Sequence, residues 1–332
     1  MEFSQHFLGG LLEAINSDGL ARFDAGEVAF VAKDLEYVMA TTYDIEYPEL
    51  KALQILPVNT EVDPGAEEYS YVQWDIVGKA QFISDYATDF PMVEAFLKRF
   101  VFAIAGIGIG YQYTVQDMRK AAMRRLSKGK SLDVARAATA ALVHAQFVDQ
   151  VAAYGDTARG LTGLITNTDI PLVTGLSGSW DLKTTGSDAE NAAIALDLTA
   201  IALTPEINTV QRHVADTLLL PLSQKKRLYA PTSTYIKQPL ILNWLLNQEN
   251  IKQVIWWNKL DSAYSSGALS ANQAWVMALK QDPSVVYYVI PLQFTQHAPQ
   301  QVGLAFKVPC ESRTGGVCMP YPLAACRVNV HS

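Results

Sequence analysis

The sequence predicts an α+β fold, on three observations. Glu67 to Ile109 is β-rich, Ser131 to Tyr154 is an alanine-rich helical rod, and strand and helix patterns alternate from Val173 to Gln300. In the first stretch Tyr69, Tyr71, Val72, Trp74, Ile76 and Val77 are aromatic or β-branched, which favours strand. "DYATDFP" reverses the chain and Phe96–Ile109 returns it, giving a long two-stranded excursion. The rod has no Gly or Pro until Gly155, and at ~1.5 Å per residue it spans roughly 35 Å.

Taken in order, the chain opens with a stripe at helical spacing, Phe3, Phe7, Leu8, Leu11, Leu12 and Ile15. It packs on the chain's own core or docks on a partner. Residues 34–58 read as a helix followed by a loop at Tyr47-Pro48. After the excursion, Thr114 with Asp117 three residues on caps a helix from Val115 to Leu126. "SKGK" breaks that helix and Ser131 caps the rod, which ends in the loop "ARGLTGLITNTDIP". The alternating segment holds helices at Asp188–Leu203 and Pro239–Asn247, with a strand "TLLLP" from Thr217. Further strands fall near Val254–Trp257, Ala274–Ala278 and Val285–Ile290, so the segment reads as a compact α/β unit. The tail reads as two strands about a turn at Thr314-Gly315-Gly316.

Composition narrows the function classes. The 332 residues are 49 % hydrophobic and 18 % charged, as in a globular chain with a sizeable core. A net charge of −7 argues against a surface that grips nucleic acid throughout, which needs clustered Lys and Arg. No apolar run reaches the roughly 20 residues of a membrane span, so no membrane partner is expected. The N-terminus has neither a basic leader nor a small-residue cleavage site. Cys310, Cys318 and Cys326 are an odd number with no C-x-x-C pair, and read as small buried strand residues in a reducing compartment.

The catalytic motifs do not hold up. Gly106, Gly108 and Gly110 are spaced G-x-G-x-G, not the G-x-G-x-x-G of a dinucleotide turn, and the expected acidic partner is missing. Alternate glycines in a strand instead leave one face bare, so that another backbone or helix approaches closely. "GKS" at Gly129–Ser131 lacks the earlier glycine of a phosphate loop, since Arg124 stands there. The basic residues around it, Arg119, Lys120, Arg124, Arg125, Lys128 and Lys130, read as a solvated helix face, with an acidic neighbour or nucleic acid as the alternative. "GLSGS" misses the nucleophile elbow at Ser179, and the five histidines lack metal-ligand spacing. No catalytic residue, cofactor site or metal site is assigned.

An isolated two-stranded ribbon is marginal in water, because little apolar area is buried. This one carries Tyr69, Tyr71, Trp74, Phe82, Tyr86, Phe90, Phe96, Phe100 and Phe102, nine candidates for contact with a neighbouring subunit. The alternative is that the ribbon folds back on its own domain.

Five stretches carry a family resemblance: "TTYDIEYPELKALQILPV", "VGKAQFISDYATDFPMV", "YQYTVQDMRKAAM", "DTLLLP" and "VPCESRTGGVCMPYPLA". In this order they resemble a phage-encoded major capsid family, long catalogued only as a domain of unknown function, of the Hong Kong ninety-seven type fold shared with encapsulin shells. The resemblance covers roughly residues 34–330, and "GLTGL" at Gly160–Leu164 is similar to the glycine loop after that fold's spine helix. It implies an N-terminal arm and start of a peripheral domain at 1–66, an extended loop at 67–110, and the peripheral domain at 111–172 with spine helix 131–154. It further implies an axial domain at 173–300 and closing strands of the peripheral domain at 301–332. The implied function is a non-enzymatic shell protein that assembles as pentamers and hexamers into a phage head around double-stranded DNA. Its partners would be itself, portal, scaffolding or decoration proteins, and DNA through weak contacts; its place would be the virion, assembled in the host cytoplasm. With fold-like elements starting near residue 34, a separate scaffolding protein or none is implied. Lys79 and Lys98 read as solvated lysines and not as cross-linking ones. The rivals are an encapsulin-type compartment and a soluble α/β enzyme using Gly106–Gly110.

Overall fold

The computed structural model describes residues 47–82, 91–125, 132–174, 176–183, 187–229, 246, 250–265 and 267–331, all but Tyr47 and Pro48 within the unit Glu49–Ser332. The expectations for the N-terminal stripe, the helix within 34–46 and, apart from Leu246, the helix Pro239–Asn247 lie outside them. The first elements are a single helical turn α1 (Ala52–Ile55), β1 (Val58–Asn59), β2 (Glu68–Val77), β3 (Glu94–Ala103), β4 (Ala105–Thr114) and α2 (Val115–Arg125). Then come α3 (Leu132–Tyr154), β5 (Gly155–Asp156), β6 (Leu161–Thr162), α4 (Asp188–Asn208), β7 (Thr217–Pro221), α5 (Lys225–Leu228), β8 (Gln253–Trp257) and β9 (Trp275–Leu279). The chain closes with β10 (Tyr287–Val289), β11 (Leu292–Gln296), β12 (Gln300–Val302), β13 (Ala305–Thr314), β14 (Gly316–Cys318) and β15 (Ala325–Asn329).

The excursion is an antiparallel ribbon of β2 and β3, in register from Glu68 opposite Ala103 to Val77 opposite Glu94. The returning strand does not run on to Ile109 as the sequence suggested. It stops at buried Ile104, whose N–H donates to the Glu67 carbonyl at 2.8 Å, and β4 begins beyond it. The alternating pattern continues through the break, so periodicity alone could not reveal that the chain changes sheets. β4 pairs with β13 along all ten residues.

The helix after β4 starts where its cap requires. The Asp117 N–H donates to Thr114 Oγ1 at 3.0 Å, and the Thr114 N–H donates to Asp117 Oδ2 at 3.4 Å. Such reciprocal capping is worth about 1 kcal/mol. α3 is the predicted rod. Its C-terminal turns are buried at Val148, Val151, Ala152, Ala153 and Tyr154, while much of its first half is open to solvent. There Asp149, itself buried, accepts the Ala52 N–H at 2.9 Å and so caps α1, 97 residues away. Burial raises the Asp149 carboxyl above the usual range, and the backbone donors of Ala52 and Lys51 oppose that shift.

The α/β unit is built on a mixed sheet in the order β15-β9-β7-β8. β7 and β8 are parallel, whereas β9 runs antiparallel to β7 and β15 to β9. All five residues of β7 are buried, because both faces of the sheet are covered. The period of two sorts them: Leu218 and Leu220 join Val276 and Ala278 in a core under α4. Leu219 joins Met277 and Leu279 in a second core shared with α1, the end of α3, Tyr288 and Val317.

The closing strands depart from the expected division. β13 and β14 are not a hairpin: β13 joins β4, β11 and β12, whereas β14 pairs with β10, which in turn pairs with β1. β15, expected to complete the peripheral domain, is the edge strand of the α/β unit's sheet. The chain passes from β13 to β14 through Gly315 and then Gly316 at φ 73°, left-handed geometry that favours glycine. The three cysteines are buried in β13, β14 and β15, and burial pushes the Cys326 thiol up to about 12.

Candidate functional site

The ribbon's two faces have different environments. On one, Tyr69, Tyr71, Phe96, Phe100 and Phe102 share a side through the pairs Tyr69–Phe102, Tyr71–Phe100 and Asp75–Phe96. Near the base they form a ladder, with ring centroids 5.2 Å apart for Tyr69–Phe102 and 5.0 Å for Tyr71–Phe100. The Tyr69 hydroxyl donates to the Gly315 carbonyl at 3.2 Å. At Gly315 a Cβ would lie 2.6 Å from the Tyr69 ring, so the glycine makes room for the tyrosine. Burial raises the Tyr69 phenol far above its usual range. Tyr69 thus anchors the ribbon in its own body, and Phe102 stacks on it.

The opposite face carries Trp74 and aliphatic side chains, with Ser70 and Arg99 among them, the Arg99 Nε–H donating to Ser70 Oγ at 3.1 Å. Val72, Trp74 and Ile76 on β2 lie with Leu97 and Val101 on β3, Trp74 directly opposite Leu97. All five are exposed, Trp74 to 63 %. Ten residues at ~3.3 Å carry this face roughly 30 Å outward. Phe96 and Phe82 are exposed as well, while Tyr86 and Phe90 lie outside the described residues. The nine candidates named from the sequence are all aromatic; four aliphatic residues share the Trp74 face with it by the period of two.

The glycines of β4 are bare in this chain. A Cβ at Gly106 or Gly108 would meet nothing within 4 Å, whereas one at Gly110 would come within 3.2 Å of the Val308 carbonyl. The expectation of backbone crowding therefore holds inside the chain at Gly110 alone. The neighbouring residues differ: Ile107 packs against the core shared with α3. A cavity of about 270 Å³ lies between β4 and α3, lined by Gly106, Ile107, Gly108, Val143, His144 and Phe147, among others. On its wall Arg159 and Asp156 pair at 3.6 Å.

His144 packs on Phe294, with ring centroids 4.8 Å apart, and its Nε2 lies 2.5 Å from Ser312 Oγ. Burial holds its imidazole below the usual value. A folded-state pKa lowered in this way stabilises the fold above the unfolded value of ~6.5, and that contribution is lost as pH falls through the folded value. His144→Gln is expected to flatten the fall in melting temperature below pH ~6.5 and to leave the pH 8 melt nearly unchanged. Parallel pH–melting curves for the two chains would contradict this.

Among the described residues no three His, Cys, Asp or Glu converge to hold a metal ion, and no helix is long and apolar enough to cross a membrane. The described residues present a largely apolar ribbon face, a bare strand face and a cavity. Residues 78–330 match the family described as major capsid protein. The chain belongs to the major capsid protein family.

This capsid protein is similar in fold to the capsid of the myovirus phage XM1, with a TM-score of 0.74 at 13 % identity over 90 % of this chain and 97 % of that one. It is also similar to a structure from Mycobacterium phage Bobi (TM-score 0.56, 15 % identity, 93 % and 99 % covered). A third similar fold is the capsid of an empty GTA particle (TM-score 0.58, 11 % identity, 95 % and 100 % covered). No curated protein sequence matches the capsid protein at a significant level.

Proposed function

We propose that this capsid protein assembles as pentamers and hexamers into the icosahedral head of a tailed bacteriophage or phage-like particle, enclosing double-stranded DNA. The observation that carries the reading is the ribbon. Its own body covers the base, and the Trp74 face stands in water. Burying on the order of 500 Å² of that face would release about 12 kcal/mol before the costs of association. In this reading the ribbon lies over an adjacent subunit, and Val72, Trp74, Ile76, Leu97 and Val101 join Phe82 and Phe96 as its contact residues. The fold of phage and GTA capsids supports the architecture. The net charge of −7 suits a lining that holds DNA weakly, and portal, scaffolding or decoration proteins are the remaining partners. The work is mechanical and the place is the virion, with assembly in the host cytoplasm.

The encapsulin-type compartment is not favoured, because the family match is to major capsid proteins. The test is negative-stain microscopy of the chain expressed alone and together with the other head genes. Closed particles in either preparation are expected; a folded monomer or small oligomer in both would overturn the reading.

A further inference from the structure

We infer that the outer face of α4 is a second contact surface between neighbouring copies of this chain, separate from the ribbon. The inference rests on the shell reading. α4 covers the α/β sheet with Ile194, Leu198, Ile201, Ala202 and Pro205. A surface helix carries charged or polar side chains on its other face, and one that is apolar all round is a buried helix. After Asp188, the face of α4 turned away from the sheet reads Ala189, Ala192, Leu196, Ala200, Leu203 and Ile207. These follow the i, i+3, i+4 spacing of a single stripe, and Leu196 and Ile207 are 70 % and 71 % exposed.

The stripe ends on a strained residue. Val210 sits at φ 50°, in the left-handed region, and Gln211 follows at φ 65°. For a β-branched side chain that conformation is an outlier. It is held by the Gln211 N–H on the Glu206 carbonyl at 2.8 Å. It is also held by Thr209, whose hydroxyl donates to the Pro205 carbonyl at 2.7 Å and accepts the His213 N–H at 3.0 Å. The result is a valine 86 % exposed at the end of an apolar ridge.

The area says what covers it. A stripe of some 20 residues at ~1.5 Å is roughly 30 Å long. At about 10 Å wide it offers on the order of 300 Å², well short of the ~800 Å² per partner of a stable interface. It is too small to recruit a separate protein by itself. It suffices as an added contact between chains already joined elsewhere, where tethering supplies a high effective concentration. In a ring the neighbour meets it with a different face.

The native thiols are all buried, so a cysteine placed on the stripe reports its own exposure. In Ala200→Cys particles, a small maleimide is expected to react at least tenfold more slowly than with the unassembled chain, while a Ser284→Cys control changes less than twofold. Leu203→Glu with Ile207→Glu is expected to cut particle yield at least tenfold while the unassembled chain keeps its circular dichroism and melting temperature. Ala200→Cys particles whose introduced thiol reacts as fast as in the free chain would overturn the inference and leave the shell reading standing. Protection that arises only when a second protein is added would overturn it too. A parent chain that forms no particles under any condition would overturn both.

Discussion

Trp74→Asp combined with Leu97→Asp is expected to leave a folded chain that no longer assembles. The two side chains face each other across the ribbon, on the side turned away from the Tyr69 ladder, and both are exposed. Their loss therefore removes little from the monomer: exposed substitutions away from caps and cores usually change stability by no more than about 0.5 kcal/mol. In the assembled particle the same change buries two carboxylates in place of an aromatic ring and an aliphatic chain. Each would cost several kcal/mol unless paired. Because every copy carries the change, the penalty recurs at each contact. Sedimentation or size-exclusion chromatography is expected to show the loss of megadalton material, with circular dichroism and melting unchanged. Particles at the parental yield would refute the placement of this face against a neighbour.

Gly163→Val is expected to prevent folding itself. A Cβ at this position would fall far inside van der Waals contact with the Tyr154 carbonyl carbon and the Gly155 nitrogen, both backbone atoms. No rotamer relieves such a contact. The chain there is held on both sides, by the β5–β6 pair and by the Leu164 N–H bonding to the Ala152 carbonyl at 2.9 Å. Relief requires prying the glycine loop off the end of α3, where Leu164 and Ile165 sit in the core. The loss is expected to exceed about 4 kcal/mol, against a typical total of roughly 5–15 kcal/mol, and is read as insoluble protein or a collapsed urea midpoint. Gly108→Ala is the matched control. Nothing lies within 4 Å of its Cβ, so it is expected to melt within a few degrees of the parent. A soluble Gly163→Val chain with the parental midpoint would refute the argument.

The same two glycine positions mark how far a sequence carries. Gly106, Gly108 and Gly110 stood out for their spacing, which excluded a dinucleotide turn and gave one bare strand face. Whether that face was crowded could not be read, since crowding depends on β13, about two hundred residues later. Gly163 was legible only as a loop residue and through a family resemblance, because a tight approach leaves no trace in hydrophobic period. The rod α3, the Thr114 cap and strand β7 were legible for the opposite reason: propensity, capping and apolar runs act over a few residues. α4 was read to Leu203 but runs to Asn208 with Pro205 inside it. Tertiary packing of Ile201, Ala202 and Pro205 overrides the proline as a stop signal.

Of the contact site, the ribbon and its aromatic residues were legible, while the division of labour between its faces was not. Alternation assigns Tyr69 and Trp74 to opposite sides, but only Gly315, arriving from the C-terminal strands, decides which side the body covers. The fate of the closing strands is likewise tertiary, for β13, β14 and β15 enter three different sheets from one short stretch. By itself, then, the sequence determined the rod α3, the capped start of α2, strand β7 and the two-stranded ribbon, and that the ribbon carries more apolar surface than two strands can hide. The tertiary structure alone decided sheet membership, the open face of β4 and the exposed apolar faces of the ribbon and α4. Local preferences act between neighbours along the chain, whereas coverage depends on which distant segment arrives.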